Sequence, residues 1–165
     1  MKLERYKLGI ALAVISLLMT AIPVVSAQSA GHERTIQGTW RTVVTPRNCQ
    51  TGDPAPSFAG LFTFHQGGTM AEYGIRPVSS PALRSPGHGV WQRLAGWQMY
   101  SFAFTFNRYD ASGTFLGTQK ITGELELGAD GDTFATRSVI EVLDVNDVVV
   151  GSGCATAAGT RFSVQ

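Results

Sequence analysis

The sequence predicts an all-β protein, a single up-and-down antiparallel barrel of eight strands preceded by a signal peptide. Three observations predict it. After residue 27 no stretch of ten or more residues keeps a helical period, whereas period-2 runs alternate with turn dipeptides throughout. There are eight such runs, the number at which a closed barrel is just wide enough for side chains or one small ligand. The two ends of the chain also match. Trp40 with Arg161 and Cys49 with Cys154 have position sums of 40 + 161 = 201 and 49 + 154 = 203. Antiparallel partners share a nearly constant sum, so one register, with a bulge at most, joins both pairs and sets the first strand against the last.

The first 27 residues read as an address. Lys2, Arg5 and Lys7 form a positive n-region, Leu8 to Leu18 is apolar apart from Gly9 and Ser16, and Pro23 precedes the small-residue cleavage site Val25-Ser26-Ala27. Cleavage after Ala27 makes the protein exported, periplasmic or extracellular, with no integral membrane span left. The alternative is an uncleaved anchor, since Leu8 to Val25 is 18 residues, at the lower edge of a spanning helix. Residues 28–35 read as a loose N-terminal segment and 36–165 as the barrel domain.

The predicted strands are Ile36–Thr45, Phe58–Gln66, Thr69–Ile75, Gly89–Leu94, Trp97–Tyr109, Thr114–Leu127, Thr133–Val145 and Val148–Phe162. Gly67-Gly68, Ala95-Gly96, Ser112-Gly113, Asp130-Gly131 and Asn146-Asp147 carry turn chemistry between them. Two longer links, Pro46 to Pro56 and Arg76 to Gly87, are rich in Pro, Gly and Ser, so both are expected to be loops rather than strand or helix interior. Loops of that length are either binding lids or surface irregularity.

Parity assigns the inside. In Thr114–Leu127 the even positions Thr118, Lys120, Thr122, Glu124 and Glu126 are polar and face water. Phe115, Ile121, Leu125 and Leu127 then face inward, with Gln119 as a polar exception. Arg137 and Glu141 on the next strand fall within reach of Glu124 and Lys120. In Trp97–Tyr109 the even positions Tyr100, Phe102, Phe104 and Phe106 form an aromatic row, which we place inside with Phe62 and Phe64. Such an interior is either a filled core or an apolar pocket with a few polar groups.

Removing Lys2, Arg5, Lys7 and Glu4 from 13 basic and 12 acidic residues leaves ten and eleven, a net charge of −1. Nothing there grips phosphates, which argues against nucleic acid as a partner. Two cysteines in an exported chain read as one disulfide; two buried thiols are the alternative.

A G-x-W at Gly38–Trp40 with Arg161 near the C-terminus resembles the signature of lipocalins and their calycin relatives. The resemblance implies an eight-stranded barrel whose bottom is capped by Trp40, with Arg161 lying across the indole. The central T-D-Y motif and C-terminal helix of lipocalins have no counterpart. The stretches Ser85-Pro86-Gly87-His88-Gly89-Val90-Trp91 and Thr45-Pro46-Arg47-Asn48-Cys49 are similar to small exported bacterial proteins of unknown function.

Chemistry is sparse. No metal-ligand spacing, nucleophile elbow or free cysteine points to metal or covalent catalysis, and no cofactor is implied. His32 is read as inert, while His65 and His88 are placed at strand ends near a barrel mouth, where Glu72 or Asp53 could partner a general base. Two functions stay open. One is a lumen that binds a small apolar or amphipathic molecule against Phe62, Phe64, Phe102, Phe104, Phe106 and Ile121. Tyr100, Gln119 and His88 would be its polar groups. The other is a barrel isomerase or cyclase, which resembles allene oxide cyclase-like barrels and needs a buried acid or base with a partner. Parity yields only Gln119 and Tyr100 as inward polar groups, which favours binding. An outer-membrane barrel is disfavoured by the polar outer face of Thr114–Leu127.

Overall fold

Alternation between apolar and polar or small residues builds nine strands among the described residues, 35–74 and 83–164 of a computed structural model. The expected signal segment, His32, Ile75 at the end of the predicted third strand and residues 76–82 of the second long link lie outside the described residues. The strands are β1 (Gly38–Arg47), β2 (Phe58–Phe64), β3 (Thr69–Gly74), β4 (Leu83–Arg84), β5 (Gly87–Arg93), β6 (Met99–Tyr109), β7 (Phe115–Leu127), β8 (Thr133–Leu143) and β9 (Val149–Arg161). Hydrogen-bonded neighbours run β4-β6-β5-β3-β2-β1-β9-β8-β7, and β6 also pairs with β7, which closes the sheet. Every ladder is antiparallel.

The barrel has eight strands because β4 and β5 occupy one place along β6. Leu83 and Arg84 face Tyr109 and Arg108, then His88 to Arg93 face Thr105 to Tyr100. Between them Pro86 has no N–H to offer the ladder, and Ser85 bridges the gap with its own N–H to the Asn107 carbonyl at 3.0 Å. This corrects the expectation that Arg76 to Gly87 is loop throughout: its last residues resume the sheet. Pro46 and Arg47 likewise belong to β1, opposite Ala155 and Cys154.

The β1–β9 register runs from Trp40 opposite Arg161 to Arg47 opposite Cys154 without a bulge. Cys49 lies two residues past β1 and bonds to Cys154 with a Cα separation of 5.2 Å. The larger cysteine sum thus comes from the turn after β1, where Asn48 Oδ1 accepts the N–H groups of Gln50 and Thr51 at 2.8 and 3.1 Å.

Parity along β7 holds from Gly117 to Leu127 and fails before it. The β6–β7 ladder shifts register at Arg108 and Tyr109, so Phe115 turns outward and packs on Tyr109 at 5.9 Å. Gly117 makes the shift possible: its φ is +109°, and a Cβ there would stand 2.2 Å from the Leu143 carbonyl oxygen. On the outer faces Lys120 pairs with Glu141 at 3.5 Å, and Glu124 stands opposite Arg137.

One end of the barrel is filled. Ile36, Trp40, Tyr100, Leu125 and Leu127 are fully buried there, with Phe64, Met70 and Phe134 nearly so. The small inner positions of β9 accommodate these rings; a Cβ on Gly159 would lie 2.3 Å from Phe134. Arg161 lies 4.2 Å over the Trp40 ring, and the indole N–H donates to the Ile36 carbonyl at 2.8 Å. All three guanidinium nitrogens donate to carbonyls. Nε and Nη2 reach Gly131 at 3.1 and 2.6 Å, Nη2 also reaches Thr35 at 2.7 Å, and Nη1 reaches Gln37 at 2.7 Å. The segment before β1 and the β7–β8 turn are thereby tied to one side chain of β9.

Candidate functional site

The other half is not filled. Above the aromatic row lies a void of about 60 Å³, walled by Phe58, Phe62, Phe102, Phe104, Phe106 and Ile121 on one side. Val44, Thr136, Ser138, Ile140, Ala155, Thr156 and Ala157 form more of the wall, and Glu72, Arg84 and Gln119 are its longer polar groups. Above it a vestibule of about 280 Å³ is lined by Leu83, Arg84, Phe106, Arg108, Leu116, Gln119 and Val142. Arg84, Phe106 and Gln119 border both spaces.

Of the residues expected in a ligand site, Phe62, Phe102, Phe104, Phe106, Gln119 and Ile121 are brought together around the void. Phe64 and Tyr100 are not. Both belong to the filled end, where the Tyr100 hydroxyl donates to the Trp97 carbonyl at 2.9 Å and accepts from Arg93 Nη2 at 3.2 Å. Tyr100 therefore has no hydroxyl facing the void. His88 is also displaced from its expected role. Gly87 and Gly89 take the inner face of β5, so the imidazole between them stands exposed on the outside. His65 lies in the β2–β3 turn at the filled end, where its carbonyl accepts the Trp91 indole N–H at 3.0 Å.

The polar group that sequence parity missed is Glu72. Met70, Glu72 and Gly74 share the inner face of β3, and the Glu72 side chain is 3% exposed. Its two oxygens receive two donors from Arg84: Nη1 to Oε1 at 3.2 Å and Nη2 to Oε2. The Arg84 guanidinium also lies 3.6 Å over the Phe106 ring, and its Nε donates to the Ser85 carbonyl at 3.3 Å. Glycines make room for this pair: a Cβ on Gly74 would lie 2.7 Å from Arg84 Nη1, and one on Gly87 2.7 Å from Glu72 Oε2. Burial pushes the Glu72 carboxyl above its ordinary range, outweighing the lowering by Arg84. Alternation along the short run Thr69-Met70-Ala71-Glu72 carried the signal, since Met70 and Glu72 share a face.

Two buried side-chain polar atoms lack a hydrogen-bond partner among the described residues, Thr42 Oγ1 and Arg108 Nη1. No group of three or more His, Cys, Asp or Glu gathers there as a metal site would. No helix of the described residues is long and apolar enough to cross a membrane, and the disulfide is consistent with export. The closed eight-stranded barrel is compatible with a calycin-like fold. No protein-family model matches this chain, and no curated protein matches it.

Proposed function

We propose that this protein is an exported, calycin-like up-and-down barrel that holds one small, predominantly apolar molecule in the open half of its lumen. One observation supports this above the rest: the barrel is packed solid at one end and hollow at the other, and the hollow half is mostly aromatic and aliphatic. Apolar cavities take apolar guests readily, and a few polar groups at the rim give orientation. The void of about 60 Å³ is less than half of the ~150 Å³ cavity known to take benzene. A guest therefore puts a short alkyl group there and the rest of its body in the vestibule. Native mass spectrometry of protein isolated from the compartment to which it is exported tests this. The expected result is a non-covalent adduct that Ala155→Leu, filling the void from β9, abolishes without changing the circular dichroism spectrum. Wild-type protein that carries no adduct and takes up no 1-hexanol would overturn it.

Glu72 favours a second reading, a barrel isomerase or cyclase. A carboxyl raised by burial and oriented by Arg84 is the kind of group that moves a proton in an apolar chamber. Glu72→Gln separates the two. A binding module carries the same molecule in both proteins, whereas an enzyme yields a different isomer when the guest is extracted from the variant and identified by chromatography.

A further inference from the structure

We propose that the vestibule is an anion subsite in which Arg108 receives the carboxylate of a small amphipathic monocarboxylic acid, with the acid's apolar end in the void below. This rests on the lumen-binding reading and adds to it the chemical class of the guest.

The ladder between β4 and β6 sets Arg84 directly opposite Arg108. Residues so placed have their Cβ atoms about 5 Å apart, and like charges there repel. A guanidinium is a permanently charged group. One carboxylate, Glu72, borders the void and none lines the vestibule, and Arg84 takes both oxygens of Glu72. Arg84 is further fixed by its stack on Phe106, so it is not free to turn to a second anion. Arg108 is left over. It continues the inward row of Phe102, Phe104 and Phe106 by two residues, and its buried Nη1 meets no acceptor. Buried donors are almost always paired, and a guanidinium is shaped for a carboxylate.

The charge inventory selects the guest. Two fixed positive charges and one negative leave room for one more negative charge, which a monocarboxylate supplies and a dianion exceeds. The geometry selects its orientation. Phe106 separates Arg108 from the void, so a head on Arg108 sends its tail past that ring toward Phe104 and Ile121. Gln119, opposite Phe106 in the β6–β7 ladder and on the wall of both spaces, offers an amide N–H to the same head.

Calorimetry on the exported chain with hexanoate and 1-hexanol at neutral pH tests this, because the probes differ in the head alone. Hexanoate is expected to bind at least about tenfold more tightly than hexanol. Arg108→Gln should remove that preference while leaving hexanol affinity within about twofold, and Arg108→Lys should retain part of it. In the ligand-free protein Arg108→Gln should keep or raise Tm, since it removes one of two facing like charges. Equal affinity for the two probes in wild type, or hexanoate binding unchanged in Arg108→Gln, would overturn the anion subsite and leave the lumen reading standing. A lower Tm for ligand-free Arg108→Gln would overturn it too, by showing that the chain itself satisfies this charge. Failure of both probes to bind would overturn the lumen reading and this proposal with it.

Discussion

The two ends of this barrel each bury arginine, and they treat it differently. At the filled end Arg161 donates from all three nitrogens to backbone carbonyls and covers an indole. At the open end two arginines face each other across a ladder, and one carboxylate serves only the first. The same side chain is thus a tie in one place and an unfinished contact in the other. What separates them is the supply of acceptors. The filled end turns loop carbonyls inward, while the open end offers aromatic rings and small side chains. Buried charge that is fully paired holds the fold; buried charge left short of partners is what the proposed anion subsite rests on.

The contrast can be broken most forcefully at the filled end. Trp40→Ala should cost about 3–5 kcal/mol in chemical denaturation, because it empties the cap under Arg161 and the contact with Phe134 at 4.9 Å. The open end has a covalent brace instead. Replacing both Cys49 and Cys154 by Ser releases a span of 105 residues and should cost about 2–4 kcal/mol. Hydrogen exchange should then quicken in the 48–57 loop while the Trp40 amide stays protected. Arg84→Met comes next, at about 2–3 kcal/mol, since it leaves Glu72 without its counter-charge and Phe106 without its cation. Adding Glu72→Leu should recover most of that loss, as apolar replacements of a whole buried pair usually do.

The smallest effect has a sign that depends on pH. Burial raises the Glu72 carboxyl above its ordinary value of 4.5, so the folded protein holds this proton more tightly than the unfolded chain. Its contribution is complete below that value and is lost as pH rises through the folded one. Glu72→Gln, neutral throughout, should therefore gain stability relative to wild type as pH climbs above 4.5. The turn carboxylates behave in the opposite way. Asp110, held down first by its bond from the Ser112 side chain, and Asp130 and Asp144, held down first by backbone N–H groups of Asp132 and Val148, contribute above their ordinary value of 3.8 and weaken as pH falls below it. Thermal melts of both proteins between pH 3 and 8 should show the two trends crossing; parallel curves would contradict the assigned direction for Glu72.

The filled end was legible because its contacts obey simple rules. A constant position sum joins Trp40 to Arg161 whatever lies between them, and strict alternation along β6 puts Tyr100, Phe102, Phe104 and Phe106 on one face. The open end depends on exceptions that alternation cannot see. A positive-φ glycine at Gly117 turns Phe115 outward, and a proline-interrupted strand hides the inward Arg84 in a segment that reads as loop. Glu72 could be found in the sequence, but only its pairing with Arg84 shows that it is buried rather than at a strand end. Which half of an aromatic interior is hollow follows from volumes, and no periodicity encodes volume.

The strand that faces the void most plainly is also the plainest in composition. Gly153, Ala155, Ala157 and Gly159 alternate along the inner face of β9, and two of them, Ala155 and Ala157, border the empty space. The chamber's size is therefore set by a few methyl groups on one strand, apart from the ion pair and the aromatic wall. Descendants of this chain could resize the chamber one carbon at a time along β9 and keep both the cap and the polar rim intact. That separation would let the proposed ligand preference change while the architecture stays as it is.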